Sequence, residues 1–340
     1  MSLEQPVLWL GLAGFTPEQG KHLDGLLAQL PKRLATWQNG VFAEADAWLV
    51  SGEKSRLLSA KTLKILAGRP TERALQLNLS EIDRPIAFSL PLASSELDPM
   101  YTFDPRSGAS LNKLLQQMEV HLRALCCQFV LGGQLIARES QLLPGIYQIS
   151  HKGELLAVMD FHEWRIGISP SADPLDFELA RWDRRPLAAR AIPGHFLPNS
   201  LAQLRWIYAQ RTKREVLPPR YRSKPVYFRR APDVPLRWLR DSQLVLLREL
   251  SRAAGTFDVL QQRTGLSEAQ LARDLASLYF AGSVTTTPDK AGTGSFGDQE
   301  AAPQAAGGQP LEAAALDPAA PPLRPRLPLD LTAPARLRRK

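Results

Sequence analysis

Residues 1–135 alternate between short apolar runs and amphipathic stretches, and this alternation restricts the fold more than any other feature of the chain. Val7-Leu8-Trp9-Leu10-Gly11-Leu12 is a continuous buried-type run ended by Gly14, and Pro17 then stands early in a stretch that places Leu23, Leu26, Leu27 and Leu30 on one helical face. Asn39-Gly40 marks a turn, and Ala47-Trp48-Leu49-Val50 is a second strand closed by Ser51-Gly52. Leu57, Leu58, Leu63, Ile65 and Leu66 read as the apolar set of a helix stopped by Gly68 and Pro70. Leu75–Leu79 alternates with period two, and Pro85–Leu90 is a further strand. Ser110 is placed to cap one long helix through Leu111, Leu114, Leu115, Met118, Leu122 and Leu125, with Gly132-Gly133 as its stop. Strands alternating with helices predict an α/β domain with a mostly parallel sheet covered on both faces.

The pattern changes over residues 136–210. Ile146–Ile149 and Leu155–Met159 flank His151-Lys152-Gly153-Glu154, a hairpin signal, and Arg165–Ser169 and Asp176–Trp182 also alternate. This predicts a small antiparallel β unit, followed by a helix from Ser200 carrying Leu201, Leu204, Ile207 and Tyr208. Residues 241–287 are helical again, with Leu244, Val245, Leu247 and Leu250 on a first helix and Leu271, Leu275 and Leu278 on a last one. Residues 288–340 hold nine of the chain's 28 prolines with no sustained periodicity, and are expected to be a disordered tail ending in Arg336, Arg338, Arg339 and Lys340.

The net charge is +8. Ten basic residues and two acids lie between Arg211 and Arg240, an excess as large as that of the entire chain. Pro218, Pro219, Pro225, Pro232 and Pro235 interrupt this segment, so it cannot be one regular helix and reads as a basic extended connector over residues 211–240. Tyr221, Tyr227, Phe228 and Trp238 are interleaved with the cations, a mixture suited to phosphate contacts and base stacking.

Two resemblances add to this. Thr256–Val284 (TFDVLQQRTGLSEAQLARDLASLYFAGSV) resembles the helix-turn-helix of winged-helix domains: a short helix, a glycine turn, a capped second helix and a glycine before a wing strand. In DNA readers of that kind the second helix enters the major groove. Its expected outward residues here are Glu268, Gln270, Arg273, Asp274 and Ser277, an unfavourable charge balance for a helix facing phosphates. Residues 5–130 resemble, by element order, a response-regulator receiver of the flavodoxin-like, doubly wound fold. That family carries acids after the first strand, a phospho-accepting aspartate after the third and a lysine before a proline after the fifth. This chain has Gly11-Leu12-Ala13-Gly14, Ser51 and Leu90 there, so the resemblance implies a pseudo-receiver that works by contact rather than by phosphorylation.

Catalytic patterns are sparse. His22, His121, His151, His162 and His195 show no metal-ligand spacing, so no metal or other cofactor is expected. His162-Glu163 is the one pair that suggests acid/base chemistry. The adjacent Cys126 and Cys127 sit in apolar sequence, consistent with buried thiols and a reducing compartment. The longest apolar run, Val7–Phe15, is too short to span a bilayer and has no basic residue before it, so neither membrane insertion nor a secretory leader is expected, and the expected location is the cytoplasm. The reading is a non-catalytic regulatory or adaptor protein. A protein partner binds the N-terminal domain, and nucleic acid (DNA) binds through Arg220, Arg222, Lys224, Arg229, Arg230, Arg237, Arg240 and Arg273. The alternative is a protein-interaction scaffold or a sensor of an anionic ligand such as a nucleotide, without DNA binding.

Overall fold

A computed structural model describes residues 4–31, 34–189 and 191–292; of the expected tail 288–340, Pro288–Lys290 forms a 3-10 turn and the Gly292 amide donates to the Phe228 carbonyl (2.9 Å), while the rest lies outside the described residues. The first unit contains β1 (Val7–Ala13), α1 (Pro17–Gln29), β2 (Thr36–Gly40), β3 (Ala47–Val50), β4 (Ser55–Ser59), β5 (Thr62–Ile65), β6 (Leu75–Asn78), β7 (Ile86–Ser89), β8 (Thr102–Phe103) and α2 (Gly108–His121). Five of these strands form a parallel sheet in the order β2-β1-β3-β7-β8, the arrangement of a flavodoxin-like fold.

Strand alternation sends Leu8, Leu10, Ala47, Leu49 and Ala87 to one face, where they pack with Leu23 of α1 and Leu111, Leu114, Leu115 and Met118 of α2. Ala13, Trp48, Val50, Ile86 and Phe88 point the other way, against Leu63 and Ile65. That second face is covered not by the expected helix at 57–66 but by an antiparallel sheet, β4-β5-β6. Leu63 and Ile65 are two apart, and in a strand both turn toward the core, while a helix would set them about 200° apart. Asn39-Gly40 likewise ends β2 rather than making a turn; a Cβ on Gly40 would lie 2.7 Å from the Trp9 ring, so only glycine lets the indole cross it.

The expected single helix after residue 107 is two. Ser107, not Ser110, caps α2 and accepts from the Ser110 amide (3.2 Å). The chain then bends by 69° at Leu122 into α3 (Arg123–Arg138). The bend divides one apolar run between two cores. Residues up to Leu122, with Cys126 on the first turn of α3, serve the parallel sheet, and Cys127, Val130, Leu131 and Leu135 cover a second, antiparallel sheet.

That sheet comprises β9 (Ile146–His151), β10 (Glu154–Asp160), β11 (Arg165–Ile168), β12 (Arg181–Arg185) and β13 (Leu197–Ser200), in the order β12-β9-β10-β11-β13. The hairpin joining β9 to β10 turns at Lys152 (φ 48°) and Gly153 (φ 85°). Residues 176–182 do not make one strand. Asp173 caps a 3-10 turn at Pro174–Phe177, which buries Phe177 under α3, and β12 begins only at Arg181. Ser200 caps α4 (Leu201–Arg211) through a reciprocal bond with Gln203.

Gly132 and Gly133 do not stop α3; they lie inside it, where α4 crosses. A Cβ on Gly132 would come within 2.4 Å of the Leu204 carbonyl oxygen. The third core gathers α5 (Arg220–Ser223), β14 (Tyr227–Phe228), α6 (Asp241–Arg252), α7 (Phe257–Thr264), α8 (Glu268–Phe280) and β15 (Val284–Thr285). β14 pairs antiparallel with β15. No single helix among the described residues is long and apolar enough to cross a membrane.

Candidate nucleic-acid interface

Segment 211–240 is irregular, as its prolines require, yet it is not a strap between units: Leu217, Tyr221, Val226 and Phe228 are buried in the third core. Burial removes two of the four aromatics expected to stack on bases. Tyr221 is enclosed, its hydroxyl donating to the Val284 carbonyl (3.2 Å), and Phe228 lies in the β14–β15 pair; Tyr227 and Trp238 stay half-buried.

The cations divide into three groups. The first is interior. Arg211 pairs with Asp46, and Arg240 with Glu44 (3.5 Å). The guanidinium carbons of Arg211, Arg240 and Arg273 stand 5.9, 4.6 and 5.9 Å from the centre of the Trp9 ring. Asp46 also accepts from the Trp9 amide (2.9 Å), which ties the end of α4 to β1. Burial, reinforced by neighbouring Arg211, lowers the Arg240 pKa from its usual value. Arg240 and Arg273, expected to contact nucleic acid, therefore serve this seam.

The second group is ion-paired at the surface. Arg222 donates to Glu215 (2.6 Å) and Glu268 (2.7 Å), and Arg214 lies 3.4 Å from Glu4. Arg222 is thus another expected contact residue already matched by two carboxylates.

The third group gathers at the C-terminal end of α8. Arg220 lies over the Tyr279 and Tyr221 rings (5.5 and 5.6 Å) and donates to the Tyr279 hydroxyl (3.4 Å). The Arg229 amide donates to the Ser283 carbonyl (2.8 Å), and the Arg230 guanidinium flanks Gly282, which leaves α8 at φ 71°. The negative end of the helix dipole favours cations at this place. Arg220, Arg229, Arg230 and the nearby Lys224 are exposed, with no carboxylate partner among the described residues. Arg237 is exposed on the 3-10 turn Leu236–Trp238 that leads into α6.

The face of α8 expected to look outward is only partly available. Asp274 and Ser277 are buried, Gln243 donating to the first (3.1 Å) and Gln210 of α4 to the second (2.5 Å). Burial raises the Asp274 pKa above the usual aspartate range. Glu268 and Gln270 remain exposed. The C-terminal half of α8 thus lies against α4, and the outward positions left at its N-terminal half include the acid Glu268.

Open α/β sheets bind ligands beyond their strand C-termini, where the strand order reverses. Here that place is filled. Gly14 (φ 78°) is hemmed in by Ile65, Lys54 and Ser51, and a Cβ on Gly52 would meet the Ser89 carbonyl oxygen at 2.0 Å. Ser51, at the position of the receiver aspartate, is buried, and its carbonyl accepts from the Ser55 hydroxyl (2.7 Å). His162 lies on the exposed turn after β10, its amide donating to Asp160 (2.8 Å), and Glu163 turns instead to Arg165. Among the described residues, no group of three or more His, Cys, Asp and Glu side chains is placed to hold a metal ion. Comparison with protein-family models, with curated proteins and with solved structures gives no match.

Proposed function

We propose that this is a non-catalytic regulatory or adaptor protein that contacts nucleic acid through the surface formed by Arg220, Lys224, Arg229 and Arg230 at the end of α8. The observation that carries the reading is the sorting of charge within one segment. Arg211, Arg214, Arg222 and Arg240 are matched by carboxylates, whereas these four exposed cations are left without one among the described residues. The α6–α7–α8 arrangement with the β14–β15 pair supports a winged-helix module, but one that grips phosphates with its wing side instead of reading bases with its second helix. The N-terminal unit, its switch point filled, acts in this reading as a contact platform for a protein partner.

Phosphate contacts of this kind release counterions, so affinity falls with salt. Anisotropy of a labelled duplex of about 20 base pairs, titrated with the full chain over roughly 50 to 300 mM salt, gives a log–log slope near −3.6 if four phosphates are neutralised. Replacing Arg229 and Arg230 together by Gln lowers the steepness by about 1.8. A slope unchanged in that double variant, or absent binding, overturns the proposal and leaves the scaffold reading, in which the same cations meet an acidic protein.

A further inference from the structure

The β14–β15 pair brings two stretches of chain together at the end of α8. The Arg229 amide donates to the Ser283 carbonyl (2.8 Å), and the Gly292 amide donates to the Phe228 carbonyl (2.9 Å). Gly292 lies so close to this edge that a Cβ there would stand 2.1 Å from the Arg229 carbonyl oxygen, so only glycine lets the chain pass. Whatever follows residue 292 therefore starts against the backbone of Arg229.

The two stretches, 224–233 and 288–292, carry the cations Lys224, Arg229, Arg230 and Lys290 and the carboxylates Asp233 and Asp289, an excess of two positive charges. Arg220, turned to the Tyr279 hydroxyl and ring, adds a third. Lys224, Arg229 and Arg230 are exposed, and none of them has an ion pair among the described residues.

The sequence that follows has the opposite sign. Residues 291–323 hold no Lys or Arg and four acids, Asp298, Glu300, Glu312 and Asp317. Asp298 and Glu300 come six and eight residues after Gly292, and Glu300 is 24 residues short of the next cation, Arg324. Six residues reach at most about 20 Å, enough to return to Arg229 and Arg230. Short loops close at lower entropic cost than long ones, so these two carboxylates meet the cations beside β14 before those of the chain's own basic end. A short tether also gives an effective concentration of about millimolar, which lets surface ion pairs form that are too weak to hold free partners.

We infer that residues 298–300 are a built-in competitor for the cationic surface: Asp298 and Glu300 pair with Arg229, Arg230 and Lys224 and are displaced when nucleic-acid phosphates arrive. What this contact regulates depends on the nucleic-acid reading; the contact itself follows from charge and reach.

Asp298→Asn combined with Glu300→Gln in the full chain tests both parts. At about 100 mM salt this double variant binds the labelled duplex about threefold more tightly than the parent, and the gain closes at roughly 300 mM, where exposed charges are screened. The gain is absent in a background of Arg229→Gln and Arg230→Gln, which separates pairing with those cations from simple repulsion of DNA. A water-soluble carbodiimide reads the contact without nucleic acid, because it condenses a carboxylate with an amine that touches it. Peptide mass mapping then finds Lys224 joined to Asp298 or Glu300 within one chain at low salt, and the link is lost at high salt. Equal duplex affinity of parent and double variant, or a gain that persists in the Arg229, Arg230 background, overturns the competition and leaves nucleic-acid binding standing. Failure of both chains to bind duplex overturns the nucleic-acid reading instead. In that case, or where the Arg229, Arg230 background binds no duplex, the Lys224 link decides: its formation upholds the contact and its absence overturns it.

Discussion

Cys126 and Cys127 show how completely environment sets the chemistry of a side chain. Both are buried, and the Cys127 thiol approaches the Ala172 carbonyl at 3.4 Å. Burial pushes the Cys126 thiol up to about 12, helped by the negative charge of Glu119, and drives the Cys127 thiol upward for the same reason, with its neighbouring cysteine adding to the effect. A raised thiol pKa keeps the neutral form across the physiological range; at pH 8 roughly one Cys126 in ten thousand is thiolate. Iodoacetamide at pH 8 is therefore expected to leave the native protein unlabelled over minutes and to label two cysteines per chain in strong denaturant, read by intact mass. Sequence alone already placed these thiols in an apolar stretch. It did not show that Tyr221 and Phe228 are core residues: an aromatic among arginines has the same composition whether it faces a base or a neighbouring helix.

Among the elements, the α3–α4 crossing depends most on a small residue. Gly132 lets the α3 backbone approach Leu204, and Gly133 accommodates the Tyr208 ring, to which an added Cβ would come within 2.7 Å. Gly132→Val forces the helices apart and opens the second core; a loss of about 3 kcal/mol is expected, measured as a lowered urea midpoint. Read along the chain, Gly-Gly after a helical run is a stop signal, because nothing local distinguishes a glycine that ends a helix from one that admits a neighbour. The hairpin at 55–65 has a related cause: the adjacent pairs Leu57-Leu58 and Ile65-Leu66 fit neither period, Leu63 and Ile65 fit only the strand period, and what makes the strand form is the open sheet face that the hairpin covers.

At the scale of the whole molecule, the three cores are joined by polar as well as apolar contacts. The Trp9 seam joins β1 to the chain after α4, and Gln210–Ser277 joins α4 to α8. The Arg211–Asp46 pair is largely withdrawn from solvent, with side-chain exposures of 15% and 8%. Removing one partner leaves the other charge buried and alone. Asp46→Ala is expected to cost about 3 kcal/mol in urea unfolding, and adding Arg211→Met to recover at least half of that, since the stranded charge is gone. An unchanged midpoint in Asp46→Ala shows that the seam opens at no cost, and the units then move independently.

The sequence by itself determined β1, α1, β3, β6 and β7 of the first unit, the β9–β10 hairpin, the Ser200 start of α4 and the inability of residues 211–240 to form one helix. Each of these follows from local rules of period, φ preference and missing amide donors. Tertiary structure alone decided which cations are available. Arg240 and Arg273 are taken by Trp9, and Arg222 by Glu215 within the segment and Glu268 of α8, while Arg220, Lys224, Arg229 and Arg230 stay exposed. The physical reason is that charge is counted along a chain but neutralised through space: Glu44 and Asp46 lie far from the arginines in sequence and within 4 Å of them in the fold.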